Sequence, residues 1–414
     1  MCTSRLNTYG LCYDSPMKKI LSALTVFALL AGCASASTAA ASQKATDAEP
    51  IKLMVATDLH YLSPSLTDHG ERFQAVMAAG DSKVTEYSEE IVDTLIQKAE
   101  EEQPSALILS GDLTFNGELI SLQELKEKFT SLEDAGIPVL VIPGNHDIDY
   151  PYAYGYDGAN YYPVEDISQA EFTSLMGKFG YDDAAMSDPT SFSYCTHVTD
   201  TLWLLFLDAN TEADPGGLTD QTLSFAEDVL KQAQEAGANV IPVTHQNVLS
   251  PSDLFSSGFV ITNNNDLIKL FKKYNISLCL NGHAHLQHTS QEDGLTQIIT
   301  ESLSVYPLQY GILTVSGNEW HYENKELGIR REESEARFRA NTLSQVDQVL
   351  DKTNATDEEK KAMEDFAVTA NEEFFSGKQV TLTKDDPAYQ LWVKYAPDAF
   401  WTCYLTSTIG DQKQ

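Results

Sequence analysis

Between residues 51 and about 320, short apolar runs alternate with segments in which apolar residues recur every three or four positions. The first five segments read strand, helix, strand, helix, strand: IKLMVATD, SEEIVDTLIQKAEEEQ, SALILSGD, SLQELKEKFTSLEDAG and IPVLVIPGN. This alternation is typical of βαβ units around a mostly parallel sheet. Further strands are predicted at LWLLFLDAN, NVIPVTHQ, ISLCLNG, TQIITES and GILTVS. The last of these follow one another without long helices, which indicates antiparallel pairing or a second sheet.

Two segments depart from this alternation. YPYAYGYDGANYYP, residues 150 to 163, holds six tyrosines with Gly and Pro, fits no period, and predicts a long ordered loop or an insertion. After residue 325 the pattern becomes helical, with Thr356 and Glu359 spaced as a capping box and Pro387 at a first helical position. We therefore expect a main domain at 51–324 and a small helical C-terminal domain at 325–414.

The N-terminal residues read as an export signal. MKKILSALTVFALLAGCAS begins at Met17 with two lysines, continues with an apolar run too short for a stable membrane span, and ends in small residues around Cys33. Leu30 to Cys33 is similar to the lipobox of bacterial lipoproteins, in which cleavage precedes a lipidated cysteine. The alternative is an ordinary secretory signal with an incidental cysteine. We expect residues 1–50 to comprise a lipoprotein signal peptide starting at Met17 and a tether.

This signal predicts the location of the protein. It would be an exported cell-envelope lipoprotein on the extracytoplasmic face, held to the membrane by its lipid anchor only. The chain carries 61 acidic and 27 basic side chains, a formal net charge of -34. Such a charge argues against a nucleic-acid duplex or an anionic membrane surface as the partner.

Five of the predicted strands end in Asp, Asn or His. They are LMVATDLH with Asp58 and His60, LILSGD with Asp112, VLVIPGNHD with Asn145, His146 and Asp147, VIPVTHQN with His245, and LCLNGHAH with His283 and His285. One such ending is more often a loop or cap residue than a ligand. Because ligands bind beyond the carboxyl ends of the strands in α/β sheets, five endings in succession predict one shared crevice.

The residue types at these strand ends suit two divalent cations. A carboxylate can bridge two metals, neutral imidazoles bind each, and an amide oxygen adds a ligand without adding charge. No CxxC spacing occurs in the chain, so a thiolate zinc site is not expected. The expected cofactor is a pair of divalent ions drawn from Mn, Fe or Zn.

The ordered motifs resemble those of a known family. Asp58-x-His60, Gly111-Asp112, Gly144-Asn145-His146-Asp147, His245 and Gly282-His283-x-His285 are similar to the motifs of the calcineurin-like metallophosphoesterase superfamily, and of its members similar to cyclic-nucleotide phosphodiesterases. The resemblance covers roughly residues 51 to 320. It implies a four-layered α/β/β/α sandwich, to which the helical C-terminal domain would be an appendage.

The resemblance also implies a role for each motif residue. The first metal would be held by Asp58, His60 and His285, the second by Asn145, His245 and His283, and Asp112 would bridge the two. His146 is then left as the catalytic histidine that faces the substrate. The reaction would be attack on phosphorus by a hydroxide that bridges the metals.

The chain departs from one branch of the family at the second motif. Phosphoprotein phosphatases carry Asp-Arg before its last Gly, where this chain has Phe115-Asn116-Gly117. The missing Arg removes a bidentate clamp for a phosphate dianion, and the missing Asp removes the partner that orients the catalytic histidine. Asn116 becomes a candidate substrate-binding residue.

The absence of this Arg and this Asp favours a diester substrate over a phosphoprotein. The expected function is a dinuclear metal-dependent phosphodiesterase for nucleotide-like or other small phosphodiesters, with a small phosphoester as its partner. The alternatives are a phosphomonoesterase of nucleotide type and a non-catalytic surface binding protein on the same fold.

Overall fold

The computed structural model describes residues 49–252 and 254–409, so the predicted signal peptide and Cys33 lie outside the described residues. The strands, in chain order, are β1 (Ile51–Ala56), β2 (Ala106–Ser110), β3 (Val139–Ile142), β4 (Tyr154–Asp157), β5 (Asn160–Pro163), β6 (Met186–Ser187), β7 (Tyr194–Thr199), β8 (Leu202–Leu207), β9 (Asn210–Thr211), β10 (Asp214–Pro215), β11 (Asn239–Thr244), β12 (Leu278–Asn281), β13 (His288–Glu292), β14 (Leu295–Ile299), β15 (Gln309–Ser316) and β16 (Glu319–Glu326). The α-helices are α1 (Glu71–Ala79), α2 (Ser88–Glu102), α3 (Leu119–Asp134), α4 (Gln169–Met176), α5 (Asp220–Ala236), α6 (Asn264–Lys273), α7 (Arg331–Leu350), α8 (Asp357–Phe375), α9 (Pro387–Tyr395) and α10 (Phe400–Thr408). Short 3₁₀ segments lie at Pro64–Leu66 and Thr85–Tyr87, and a π-helical turn at Gly177–Tyr181.

Two mixed sheets carry most of the strands. The first has the order β16-β15-β1-β2-β3, in which β1, β2 and β3 are parallel and β15 and β16 are antiparallel. The second has the order β13-β14-β12-β11-β8-β7-β6, in which β8, β11, β12 and β14 are parallel. The predicted parallel core and second sheet are therefore confirmed.

The side chains of β1 show how the layers are built. Leu53 and Val55 belong to an apolar cluster shared with β8, β11 and β12 of the other sheet. Met54 and Ala56 point the opposite way, into a cluster with α2 and α3. The outer face of the second sheet packs against α5 and α6 in the same manner. Strands buried on both faces read as continuous apolar runs, and the four layers confirm the predicted α/β/β/α sandwich.

The tyrosine-rich segment is not the long loop that the sequence predicts. Its residues form the antiparallel β4–β5 hairpin, which turns at Gly158 with φ 55°. Tyrosines at alternate positions follow the period of a strand, and the intervening Gly and Pro conceal that period. Downstream, Ser168 and Glu171 form a capping box that starts α4.

The helical C-terminal region follows β16. The capping box of α8 is confirmed, because Glu359 N donates to Thr356 Oγ1 at 3.2 Å and Thr356 N donates to a Glu359 carboxylate oxygen at 2.9 Å. Pro387 is the first residue of α9, as predicted. The predicted boundary between residues 324 and 325 lies inside β16 and stays a prediction. None of the helices in the described part of the chain combines the length and apolarity needed to cross a bilayer.

Glu301, just after β14, provides a test of how this fold depends on pH. Its side chain is fully buried, and within the described residues neither carboxylate oxygen has a hydrogen-bond partner. Burial, with a smaller contribution from Glu326, holds the pKa of Glu301 well above its ordinary value of 4.5. The native state therefore keeps a proton that the unfolded chain loses, so stability falls as pH rises above 4.5.

We expect Glu301→Gln to raise the melting temperature, because the neutral amide has no proton to retain. The gain over wild type should be small at pH 4.5 and should grow up to pH 8 in thermal unfolding experiments. A gain that stays constant over this range would show that the Glu301 carboxylate is not neutral in the folded protein.

Candidate metal centre

All seven predicted ligands lie beyond the carboxyl ends of strands and meet at one place. The first sheet contributes Asp58 and His60 after β1, Asp112 after β2 and Asn145 after β3, and the second contributes His245 after β11 and His283 and His285 after β12. The ligand atoms of six of them form two groups, and Asn145 lies beside the second. The junction of the two sheets thus creates the crevice that the sequence predicts.

The first group consists of Asp58, His60, Asp112 and His285. His285 Nε2 is 3.2 Å from Asp58 Oδ1 and 3.1 Å from His60 Nε2. His60 Nε2 is 3.6 Å from Asp112 Oδ2. The four side chains therefore direct nitrogen and oxygen atoms toward one point.

The second group shares Asp112 with the first and adds His245 and His283. His245 Nε2 is 3.3 Å from Asp112 Oδ1, 3.2 Å from His283 Nδ1 and 3.1 Å from Asn145 Oδ1. The two oxygens of Asp112 therefore face different groups. Asp112 is thus placed to bridge two cations.

The backbone at five of these residues is left-handed. The φ angles are 52° at Asp58, 43° at His60, 48° at Asp112, 69° at His283 and 53° at His285. Non-glycine residues adopt this region at a cost, and such residues concentrate at functional sites. The strain indicates that the loops are shaped to direct the side chains inward.

The glycines of the motifs leave room for the ligands. A Cβ atom on Gly144 would lie 2.1 Å from Asp112 Oδ1, and one on Gly111 would lie 2.4 Å from His245 Nδ1. Gly111 also has a φ of 99°, which favours glycine. Any side chain at either position would push the shared carboxylate or the imidazole out of place.

Three of the histidines are oriented by hydrogen bonds on the side away from the centre. His245 Nδ1 is 2.9 Å from the carbonyl oxygen of Ser110, and His283 Nε2 is 2.8 Å from that of Gly258. His285 Nδ1 is 3.3 Å from Asp81 Oδ2. A nitrogen that donates to an oxygen leaves the other ring nitrogen free to bind a metal.

Asp81 and Gly258 were not found by sequence reasoning. Asp81 lies between α1 and α2, and Gly258 precedes α6; neither follows a predicted strand. Both loops contact the C-terminal region, since Arg337 of α7 donates to the Lys83 carbonyl at 3.2 Å and the Phe255 ring stacks 6.3 Å from Phe374. The C-terminal helices therefore support the segments that orient His283 and His285.

In the metal-free protein, protons balance the two carboxylates. Burial disfavours the charge of His245, but Asp112 outweighs it and raises the pKa to about 9. Burial likewise disfavours the charge of His285, and Asp58 raises that pKa to about 9. Burial and the charge of His245 lower the pKa of His283 to about 4. His245 and His285 are thus imidazolium ions that neutralise Asp58 and Asp112.

The atoms in the first group fit a cation. Asp58 Oδ1 is buried, and within the described ranges its polar contact is with His285 Nε2 at 3.2 Å, itself a candidate ligand atom. His60 Nε2 and His285 Nε2 face each other, so in neutral form both would direct lone pairs at the same point. Carboxylate, imidazole and amide donors without thiolate are the ligands of Mn, Fe or catalytic Zn ions. The residues therefore form a candidate divalent metal centre.

His146 is adjacent to this centre but outside both groups. Its Nδ1 is 3.0 Å from Asn116 Oδ1, and its ring stacks on Tyr150 at 4.6 Å. The Asp that orients the histidine in phosphoprotein phosphatases is absent, and in this chain the neutral amide oxygen of Asn116 accepts the Nδ1 proton instead. Nε2 is then left to act on a substrate.

Asp147, the last residue of the Gly-Asn-His-Asp motif, joins two loops by hydrogen bonds and is not among the ligand atoms. Its carboxylate accepts the backbone N–H groups of Leu113, Thr114 and Gly144 at 3.1, 2.8 and 2.8 Å. These bonds join the loop after β2 to the loop after β3. They fix Asp112 relative to Asn145.

A cleft of about 1050 Å³ opens beside the second group. Its lining includes Asn145 and His283 of the candidate centre together with Tyr150, Asn210 and Gln246. Such a cleft admits a small molecule to the centre.

Comparisons with known proteins agree with this geometry. The family model described as calcineurin-like phosphoesterase matches residues 51–287, and the model described as the C-terminal domain of cyclic nucleotide phosphodiesterase matches residues 320–414. No curated protein matches the chain.

Several solved structures are similar to this chain. A dimetal phosphatase from Danio rerio has a TM-score of 0.48 at 12% identity, covering 67% of this chain and 96% of that one. A purple acid phosphatase from yellow lupin (Lupinus luteus) seeds has a TM-score of 0.44 at 14% identity, covering 68% and 52%. A putative 5'-nucleotidase from Staphylococcus aureus has a TM-score of 0.40 at 12% identity, covering 73% and 59%.

The charges of His245 and His285 predict that metal binding releases protons. Both imidazoles must be neutral to bind a metal, and both are protonated below about pH 9 in the metal-free protein. We expect about two protons to be released per chain at pH 7 when both groups are filled, and the apparent affinity to rise with pH up to about 9. Titration calorimetry with Mn²⁺ in buffers of different ionisation enthalpy measures the number. If metal binding releases no protons, His245 and His285 are already neutral in the metal-free protein.

Proposed function

The chain belongs to the calcineurin-like phosphoesterase family, and from this premise we propose that it is a metal-dependent phosphodiesterase for nucleotide-like or other small phosphodiesters. The observation that carries the proposal is the position of Asp112, whose two oxygens face two separate groups of ligand atoms. Two ions that act together on a phosphoester must lie close to each other, and a shared carboxylate of this kind would hold them at that spacing.

Two divalent ions, of Mn, Fe or Zn, would polarise the phosphoryl oxygens and activate water. The residues that would hold the first are Asp58, His60 and His285, those that would hold the second are Asn145, His245 and His283, and Asp112 would contact both. The outer hydrogen bonds of His245 and His283, to the carbonyl oxygens of Ser110 and Gly258, keep these atoms in position before a substrate arrives.

Two features favour a diester over a monoester. Phe115 and Asn116 stand where a phosphoprotein phosphatase has Asp and Arg, so a bidentate clamp for a phosphate dianion is missing from this loop. The match of residues 320–414 to the C-terminal domain of cyclic nucleotide phosphodiesterase supports a nucleotide-like diester. Tyr150, in the wall of the cleft, offers an aromatic ring beside such a substrate.

His146 would act on the ester oxygen that leaves. Asn116 holds the ring through Nδ1, and Tyr150 covers one face of it, so Nε2 has a defined direction. A protonated Nε2 can transfer its proton to the leaving oxygen. A protonated ring that only stabilises negative charge would give a smaller dependence on the leaving group.

The activity and the role of His146 are tested together. We expect metal-loaded wild type to hydrolyse bis(p-nitrophenyl) phosphate and nucleoside cyclic phosphates faster than p-nitrophenyl phosphate. His146→Ala should keep the metal content of wild type and lower kcat for the nucleoside cyclic phosphates by about 10²- to 10⁴-fold. The loss should be smaller on the nitrophenyl diester, because nitrophenolate leaves without a proton.

Two controls make the experiment decisive. Asp112→Ala should be inactive and poor in metal, whereas His197→Ala, which alters an exposed histidine stacked on Trp203, should match wild type. Faster hydrolysis of the monoester would favour a phosphomonoesterase of nucleotide type. Binding of metal without hydrolysis of any ester would favour a non-catalytic binding protein.

The proposal includes an exported protein that is anchored by lipid at Cys33, on the extracytoplasmic face of the cell envelope. The lipobox-like Leu30 to Cys33 and the preceding basic and apolar residues support it. We expect Cys33→Ser to move the protein from the membrane fraction to the soluble fraction in cell fractionation. Membrane association that is unchanged in this variant would rule out lipidation at Cys33.

A further inference from the structure

We propose that Gln246 determines specificity in the cleft, because its side-chain carbonyl oxygen accepts a hydrogen bond from the nucleoside of the substrate, and that Asn210 orients it for this contact. The inference rests on the proposed function and deepens it. It assigns a recognition contact to the part of the diester that the metal centre does not hold.

Gln246 combines a position in the cleft with an unpaired polar atom. It follows the ligand His245 directly, lines the cleft beside the second ligand group, and is 4% exposed. Its Oε1 atom is buried, and within the described residues that atom has no hydrogen-bond partner. A buried carbonyl oxygen without a partner is rare in proteins because it has lost its contact with water. A donor that enters the cleft would supply the missing partner.

A chain of amide groups fixes which atom of Gln246 is left unpaired. Asn210 Nδ2 donates to the carbonyl oxygen of Pro143 at 3.2 Å, so Asn210 Oδ1 is the atom that faces Gln246. Gln246 Nε2 donates to this oxygen, which leaves Oε1 as the free atom. Because the free atom is an acceptor, the group that it selects must carry an N–H or an O–H.

The backbone around this amide chain is also held in place. The carbonyl oxygen of Gln246 accepts Thr244 Oγ1 at 2.6 Å and Asn281 Nδ2 at 3.1 Å. The backbone N–H of Asn210 donates to Asp208 Oδ1 at 2.8 Å. A contact that only joined the two loops would use Nε2 and would need no buried acceptor beside it. The fixed position of Oε1 therefore favours recognition over bracing.

The other residues of the cleft suit a nucleoside. Among the described residues that line it, Asp149, Asp208 and Glu212 are acidic, and none is Lys or Arg. A second phosphate would be repelled there, whereas a neutral group with hydrogen-bond donors would not. Tyr150 and Phe192 also line the cleft and offer aromatic rings to a base.

The test compares three cyclic phosphates as substrates of the metal-loaded protein. Adenosine 3',5'-cyclic phosphate carries donors at two groups, the amine of the base and the 2'-hydroxyl. Purine riboside 3',5'-cyclic phosphate lacks the amine, and 2'-deoxyadenosine 3',5'-cyclic phosphate lacks the hydroxyl. We expect kcat/KM of wild type to fall about tenfold on the analogue that lacks the recognised donor, which identifies that donor.

In Gln246→Met this preference should disappear, because the acceptor is removed while the length of the side chain is kept. The variant should match wild type in metal content and in hydrolysis of bis(p-nitrophenyl) phosphate, which has no N–H or O–H donor. Asn210→Ala should reduce the preference by a smaller factor, since Gln246 remains but is no longer oriented.

Gln309→Met is the matched control. Gln309 of β15 is 2% exposed, and its side chain also pairs with an asparagine, Asn324, but it does not line the cleft. This variant should keep the preference of wild type between the three cyclic phosphates.

Equal kcat/KM of wild type for the three cyclic phosphates would overturn the proposal, as would a preference that survives in Gln246→Met. Loss of metal from Gln246→Met would also overturn it, because the residue would then act through His245. Hydrolysis of the nitrophenyl diester without hydrolysis of any cyclic phosphate would exclude a nucleoside as the donor. An unchanged preference in Asn210→Ala would overturn the part assigned to Asn210. Absence of hydrolysis of every ester in wild type would instead overturn the proposed function.

Discussion

The constraint on which the rest of the site depends is the position of the Asp112 carboxylate between two groups of ligand atoms. It lies beyond β2 in the first sheet, yet one of its oxygens faces His245 from the second sheet. The two sheets must therefore bring their carboxyl ends together at this carboxylate. Gly144 and Gly111 allow the approach, because a Cβ on either would collide with Asp112 or His245.

A buried carboxylate needs compensation, and the chain provides it in several ways. Asp112 Oδ1 accepts the backbone N–H of His146 at 2.9 Å, and the imidazolium of His245 neutralises the charge. Asp58 has the equivalent support, since its Oδ2 accepts the N–H of His283 at 2.9 Å and a hydroxyl hydrogen bond from Thr57. The buried carboxylates of Asp58 and Asp112 thus hold the surrounding loops through hydrogen bonds, and the same negative charges attract a cation.

The sequence predicts the sandwich and the convergence of the ligands because both depend on one regular feature. Each buried strand is an apolar run, and the residues that follow it lie at the same edge of the sheet. Asp81 and Gly258 have no such signal, since each lies in an irregular loop that only the folded chain brings to His285 and His283. The β4–β5 hairpin was missed for another reason, because Gly and Pro interrupt the alternation of its tyrosines.

Asn116, which stands where a phosphoprotein phosphatase has a charged residue, still forms a hydrogen bond with His146 but brings no charge to it. A carboxylate at this position would favour a charged His146, whereas the amide oxygen orients the ring and leaves its charge to the surroundings. Burial lowers the pKa of His146 in the metal-free protein, with Lys83 adding to the effect and Asp112 opposing it. Because burial, Lys83 and Asp112 all act on the pKa of His146, a change at any one of them is expected to shift that pKa.

The net charge of -34 has a consequence for how such a centre selects its ligands. Without metal, the protons on His245 and His285 offset Asp58 and Asp112, so the centre has little charge with which to attract an anion across an acidic surface. Two divalent ions would bring more positive charge than the two protons that they displace. The loaded centre would then be electropositive within an acidic protein, because bound ions dominate local fields. Attraction of an anionic substrate would thereby be coupled to metal occupancy, so that it would be drawn chiefly to chains able to react with it.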